Sequence, residues 1–538
     1  MKTAMRFVLL LIVLSFLGFG CSSEPGTAES DPNDTVRVEH FLIPGFEPQA
    51  NPETEDATPS SLNQARVVRY FADGDLTPAP RAIVVAMPGF LGGGPSFDGI
   101  ARTIVRGCTE DGFPVEFWTI DRRSNGLEDL TGMNAAEREG DAEIAWSYYF
   151  GGAEIDGKTF AGYVPQADVS YMSEWGMETH IEDLRAVIDL IPAAEQKGHV
   201  FLAGHSFGAT IAELYAAWRF DDKRGADQIA GMIFLDGLMG DEPITEEEFL
   251  DGSSGGLSPQ PGLNDIRGAG SAHYTTLPLL GIDVYTSAEI VSLRTWFDPS
   301  GIVDDPKRDL AYQVLSELPE APKATNIATL GLAFDSMHQP LSFTRVTMGS
   351  LTGGPTEDFM HALLGGMLTR PSDPDATYDW IDAFDADPAE FTPARNLARS
   401  FTIGESNFPE WYFPARISID AAAAQGGNVD EAGWQAAYGI RAFDGELNDA
   451  PALCILRQNA ERCNVLRTRL APTIGAGRPH AGESRDSDLG VVVVEAEGMA
   501  HLDLIVSDDR AEGNRVPDAV ATFLETHTAA GTVNPLPH

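Results

Sequence analysis

Gly204–His205–Ser206–Phe207–Gly208 is the segment of this 538-residue sequence best suited to covalent chemistry. It matches Gly-x-Ser-x-Gly, follows the apolar run HVFLA and precedes ATIAELYAAWRF, where Ile211, Leu214, Tyr215 and Trp218 recur at helical spacing. A strand that turns sharply into a helix holds its apex residue in strained backbone angles, and small residues at 204 and 208 let the two elements approach. The Ser206 hydroxyl would then stand beside a helix N-terminus, which favours developing negative charge. The pattern recurs at Gly252–Ser253–Ser254–Gly255–Gly256, but between DG and LSPQPG it reads as a loop with nothing to position a nucleophile.

A serine hydroxyl needs a base, and imidazole is suited to that task near neutral pH. Of the 11 His, His501 in EGMAHLD fits best, just after VVVV at 491–494 and before a helical pattern over Val516–Thr526. His361 and His480 are outside candidates; His205 adjoins Ser206, and a sharp elbow points such a neighbour elsewhere. The carboxylate that orients the base has two strand ends to come from: Asp236, closing GMIFLD, and Asp444 with Glu446 in GIRAFDGELND. No CxxC or zinc-type Cys/His spacing occurs, and no Gly-Lys-Ser/Thr follows the glycine-rich PGFLGGGPSF at 88–97. Neither a metal nor a cofactor is therefore expected.

The elements that must hold these groups alternate along the chain. Val36–Ile43, Ala65–Ala72, Arg81–Met87, Val115–Ile120, His199–Ala203 and Met232–Leu235 read as strands, with helices near 97–107, 177–191 and 208–219. Several of the strands are continuous apolar runs, as strands buried on both faces should be. The alternation predicts a mostly parallel, doubly wound α/β sheet. Residues 237–437 break the rhythm with Pro, Gly and Asp and helical patches, and the sheet is expected to resume at Tyr438–Phe443 and Val491–Val494. One core, 36–236 and 438–538, with a large insertion at 237–437 is the expected organisation. The apolar stripe at 356–369 reads as core of that insertion.

By its elbow, its context and its Ser-before-His order, the sequence resembles the α/β-hydrolase superfamily over residues 36 to 528, apart from the insertion. The resemblance implies the α/β-hydrolase fold with a mainly helical cap. It implies a serine hydrolase of esterase or lipase type acting on a small-molecule ester or acyl substrate. Ser206 would be the nucleophile and His501 the base. The N–H groups of Phe207 and Phe90, or Leu91 in place of Phe90, would form the oxyanion hole in a loop where family members often carry His-Gly and this chain has Pro88–Gly89. The family more often draws its acid from the later strand end, where Asn448 stands at the usual position; Asp236 is the favoured acid here, with Asp444 and Glu446 as alternatives. Phe359, Met360, Trp411, Tyr412 and Phe413 are candidates to line the cap pocket. A serine peptidase or amidase, or a surface lipoprotein using the fold only to bind, are the competing readings.

Residues 1–21 have a basic start at Lys2 and Arg6 and an apolar run from Phe7 to Leu17, the build of a signal peptide. Gly20–Cys21 resembles a bacterial lipoprotein cleavage site, which implies lipidation of Cys21 and attachment to a membrane of the cell envelope; secretion after a different cut is the alternative. The acidic stretch after Cys21 reads as a flexible tether leading into the first strand, within 22–60. An exported chain allows a Cys454–Cys463 disulfide and leaves Cys108 as a buried thiol. With 81 Asp and Glu against 36 Lys and Arg the net charge is −45. Such a charge opposes nucleic acids and anionic lipid headgroups.

Overall fold

The computed structural model describes residues 35–73, 79–221, 223–253, 260–269, 272–276, 281–302, 322–361, 366–445, 448–458, 460–463, 466 and 490–536. The leader with Cys21, the tether up to residue 34, Glu446 and His480 lie outside the described residues. Eight strands form the central sheet: β1 (Val36–Pro44), β2 (Gln64–Ala72), β3 (Ala82–Met87), β4 (Val115–Asp121), β5 (Val200–His205), β6 (Gly231–Leu235), β7 (Ala452–Leu456) and β8 (Val491–Glu495). Their order is β1-β2-β4-β3-β5-β6-β7-β8. Only β2 runs antiparallel to its neighbours; every other pairing is parallel.

Alternate side chains explain the two packed faces. On β3, Ile83 and Val85 join the cluster that holds Ile181, Leu184, Ile211 and Leu214, from helices α2 (Met177–Ile188) and α3 (Phe207–Ala217). Val84 and Ala86 join the opposite cluster with Ile100, Ile104, Val520 and Phe523, from α1 (Asp98–Glu110) and α5 (Val516–His527). β3, β5, β6 and β7 are buried at every position, which is why each reads as an unbroken apolar run. This is the α/β-hydrolase fold.

The strand expected over Tyr438–Phe443 is not there. Gly439 takes a φ of 86° and Ala442 makes only an isolated bridge to Trp218. The seventh strand is Ala452–Leu456, whose uninterrupted apolar side chains fit between β6 and β8. Cys454 of β7 is joined by a disulfide to Cys463, and Cys108 is a free, buried thiol within α1.

The insertion contains helix α4 (Asp283–Phe297) and shorter helices, and also a small sheet of Lys323–Ala324, Thr377–Asp382 and Gly349–Thr352. The 356–369 stripe is not helical core but part of a hairpin, Thr356–Met360 against Met367–Pro371. Phe359 and Leu368 pair on its buried side, while Met360 and Met367 pair on its open side, 60 % and 65 % exposed. Period-two alternation, not a helical stripe, accounts for the spacing. Among the described residues no helix is long and apolar enough to cross a membrane.

Candidate active site

Ser206 joins β5 to α3 with φ 54° and ψ −120°, a conformation that disfavours any residue with a Cβ by about 1–3 kcal/mol. Its N–H donates to the Leu235 carbonyl at 2.9 Å, tying the turn to β6. The two motif glycines are needed for contact. A Cβ on Gly204 would lie 2.2 Å from the Gly208 oxygen, and one on Gly208 would lie 2.0 Å from the Met87 oxygen. The second motif match has no such setting: Ser253 makes an isolated bridge to Gln260 after a short helix, and residues 254–256 lie outside the described residues.

Asp236 follows β6 as Ser206 follows β5, and also has positive φ, 45°. Parallel pairing of Leu235 with His205 sets these two strand ends side by side. The Asp236 carboxylate accepts from His501 Nδ1 at 2.5 Å and from Arg457 Nε at 2.6 Å. Burial pushes its pKa up, but the His501 hydrogen bond and charge, then Arg457, outweigh burial and hold it down at about 2. An ionised carboxylate can only accept, so Nδ1 carries the hydrogen and Nε2 is the basic nitrogen of the neutral ring. Asp444 is turned elsewhere. Its carboxylate is bound by Arg219, with Nε at 2.8 Å and Nη2 at 2.5 Å.

The low value of Asp236 has a consequence for stability. The folded-state pKa lies below the ordinary 3.8, so the stabilisation is complete above that pH and is lost as pH falls toward 2, by about 2 kcal/mol. Urea unfolding at pH 5 and pH 2 should therefore show a larger acid loss in wild type than in Asp236→Asn, by about that amount. Equal losses would mean that the carboxylate is not held ionised by these partners.

His501 lies on the loop after β8, and its backbone is anchored on two sides. His205 Nε2 donates to the His501 carbonyl at 3.0 Å; burial, aided by the nearby His501, pushes the His205 pKa down to about 3, which keeps that ring neutral. On the other side Asp503, fully buried, accepts from Ala500 N at 2.6 Å, Thr347 Oγ1 at 2.8 Å and Thr392 Oγ1 at 2.6 Å. Thr347 and Thr392 belong to the insertion, so the loop that carries His501 is fastened to it. Sequence reasoning missed Asp503 and Arg457. The register that places Arg457 beside Asp236, after β7 pairs with β6, becomes readable only once β7 is located. His361 is buried at the end of the Thr356–Met360 strand of the insertion's hairpin and does not line this cavity.

Ser206, His205 and His501 open on one cavity, closed by Gly89–Gly92 of the loop after β3 and by insertion residues such as Val284, Phe334, Leu341, Phe343, Phe401 and Phe408. Phe90 lines it, while Phe207 is the first residue of α3, where backbone N–H groups have no partner within the helix. Of the five side chains expected to line a cap pocket, none does. Trp411, Tyr412 and Phe413 are buried in the core, and Phe359 and Met360 lie on the hairpin. Of the polar side chains in the lining, Ser96 Oγ donates to Gly93 O, Thr344 Oγ1 to Leu341 O and Gln339 Nε2 to Ala333 O. Among the described residues no cluster of His, Cys, Asp and Glu could hold a metal ion.

No protein-family model matches the chain, and no curated protein matches it significantly. Solved structures similar to it include a Sulfolobus solfataricus protein provisionally described as a lipase, at 16% identity, covering 92% of this chain and 95% of that one with a TM-score of 0.42. A peroxisomal α/β-hydrolase from Saccharomyces cerevisiae is 9% identical, with 94% of each chain covered and a TM-score of 0.38. A thermophilic esterase from Thermogutta terrifontis is 12% identical, covering 91% of this chain and 100% of that one with a TM-score of 0.32. The strand order and register carry the fold assignment by themselves.

Proposed function

We propose that this protein is a serine hydrolase that cleaves carboxylic esters with apolar substituents through an acyl-enzyme on Ser206. One observation carries the reading: a serine on a strained elbow shares a cavity with a histidine whose Nδ1 is held by an ionised, half-buried carboxylate. His501 Nε2 takes the Ser206 proton as Oγ attacks the ester carbonyl. The N–H groups of Phe90 and Phe207 receive the oxyanion, and His501 then protonates the departing alkoxide. Water, deprotonated by the same nitrogen, releases the acid. Asp236 keeps the ring in its tautomer and stabilises the imidazolium; it stays ionised throughout.

The lining favours esters over peptides. Peptide recognition needs donors and acceptors for the substrate backbone, whereas this wall is made mostly of apolar side chains, with the hydroxyls of Ser96 and Thr344 already donating to backbone carbonyls. A polar group entering this apolar wall would be desolvated without a partner. We place the enzyme in the cell envelope, held by an acylated Cys21, on the strength of the leader sequence.

The test is labelling by a fluorophosphonate, which phosphonylates only an activated serine. Wild type should label and Ser206→Ala should not. Wild type should also hydrolyse p-nitrophenyl esters of unbranched acyl chains faster than the matching anilides. A wild-type protein that neither labels nor turns over any ester would remove the proposal.

A further inference from the structure

The loop that follows β3 is gripped by a buried cation that does not line the cavity. Arg122, one residue past β4, has a side chain 0% exposed. Its Nη2 donates to the carbonyls of Pro88 at 2.6 Å and Gly89 at 3.1 Å, and its Nη1 to that of Gly92 at 3.1 Å. Nη1 also pairs with the carboxylate of Glu410, equally buried, at 2.7 Å. Glu410 belongs to the insertion; it accepts from Ser124 Oγ, and its own N–H donates to the Leu91 carbonyl at 2.9 Å. The carbonyls of residues 88, 89, 91 and 92 are thus all bound by this pair. Phe413 completes the support: its ring lies 4.9 Å from the Arg122 guanidinium, 4.8 Å from the Phe90 ring and 5.7 Å from the Phe207 ring.

In a trans peptide the carbonyl of one residue and the N–H of the next point in opposite directions. Holding the Gly89 carbonyl on Arg122 therefore turns the Phe90 N–H the other way. We infer that Arg122, fastened by Glu410 of the insertion, is the positioning residue of the oxyanion hole, aiming the Phe90 N–H at the oxygen that becomes negative. The inference rests on the ester-hydrolase reading. The residue types suit the task. A planar guanidinium offers five donors in a fixed fork and can hold three carbonyls and a carboxylate together, whereas a lysine ammonium is a point charge with three. A buried guanidinium without a counter-charge would be strongly destabilising, and Glu410 supplies that charge from the insertion.

Arg122→Lys keeps the charge and loses the fork. Its kcat on a p-nitrophenyl ester should fall about 10²-fold, the effect of a misdirected oxyanion donor, with KM essentially unchanged. Affinity for a trifluoromethyl ketone, which Ser206 converts to an anionic hemiketal, should fall by the same factor. Affinity for the corresponding alcohol, which carries no oxyanion, should stay. The melting temperature is followed in parallel. If Arg122→Lys does not fold, Glu410→Asp, which keeps the counter-charge but draws it back from the fork, gives the same readout, with a loss of about 10-fold. Wild-type kcat in the variant, or a kcat loss without the parallel loss of ketone affinity, overturns the positioning role alone, provided that wild type labels with fluorophosphonate. A wild type without labelling or turnover overturns the ester-hydrolase reading, and this inference with it.

Discussion

Ser206→Ala is expected to lower ester turnover about a million-fold, because nucleophile and base act as one unit and removing either removes nearly all of their joint effect. The fold should not register the change. Alanine keeps the Cβ, and with it the same strain at φ 54°, and the tie from residue 206 N–H to the Leu235 carbonyl involves backbone only. Ser206→Gly separates the two roles further. It should be as inactive as the alanine variant yet more stable, by about 1 kcal/mol, since glycine adopts this conformation without steric penalty. Activity lost while stability is gained would show that the turn is strained for the sake of the hydroxyl. The measurements are kcat/KM on a p-nitrophenyl ester and thermal melting of the three proteins. Turnover by Ser206→Ala at one per cent or more of wild type would assign the nucleophile elsewhere.

Asp236→Asn should reduce kcat about 10⁴-fold. The amide nitrogen can donate to His501 Nδ1, which would leave the ring hydrogen on Nε2, the nitrogen that must accept from Ser206. The variant also takes from Arg457 the carboxylate it binds at 2.6 Å, so some loss of stability should accompany the loss of rate. Asp444→Asn is the control. Its carboxylate is held by Arg219, so turnover should stay near wild type while stability falls. The opposite pattern, with Asp444→Asn inactive and Asp236→Asn active, would move the acid to the later strand end.

Where each group could be read from the sequence, the signal was local. β3 and β5 declare themselves as apolar runs, and Ser206 by the strand and helix that bracket its glycines. The acid was harder because Asp236 and Asp444 look alike in sequence, each following a short apolar stretch. What separates them is register: β6 lies next to β5, so its end falls beside the elbow. β7, Ala452–Leu456, was passed over for the apolar stretch at 438–443, which directly precedes the candidate acids Asp444 and Glu446 but bends at Gly439 with a positive φ. The cavity wall and its supports were beyond reach for a further reason. Arg122 and Glu410 are 288 residues apart, and Thr392 and Asp503 are 111 apart. No periodicity records a hydrogen bond between distant loops.

Those two pairings make the insertion something other than an interchangeable part. Glu410 reaches Arg122 and the loop after β3, and Thr347 and Thr392 reach the loop that carries His501. Under the proposed function, the segment that shapes the substrate wall thus also sets the geometry of the reaction centre. A chimera that exchanged residues 237–437 for those of another hydrolase would import a new specificity and dismantle the reaction centre in one step. Under the proposed function, substrate range would be altered by single substitutions in the wall, at positions such as Leu341 or Phe408, rather than by exchanging the insertion whole.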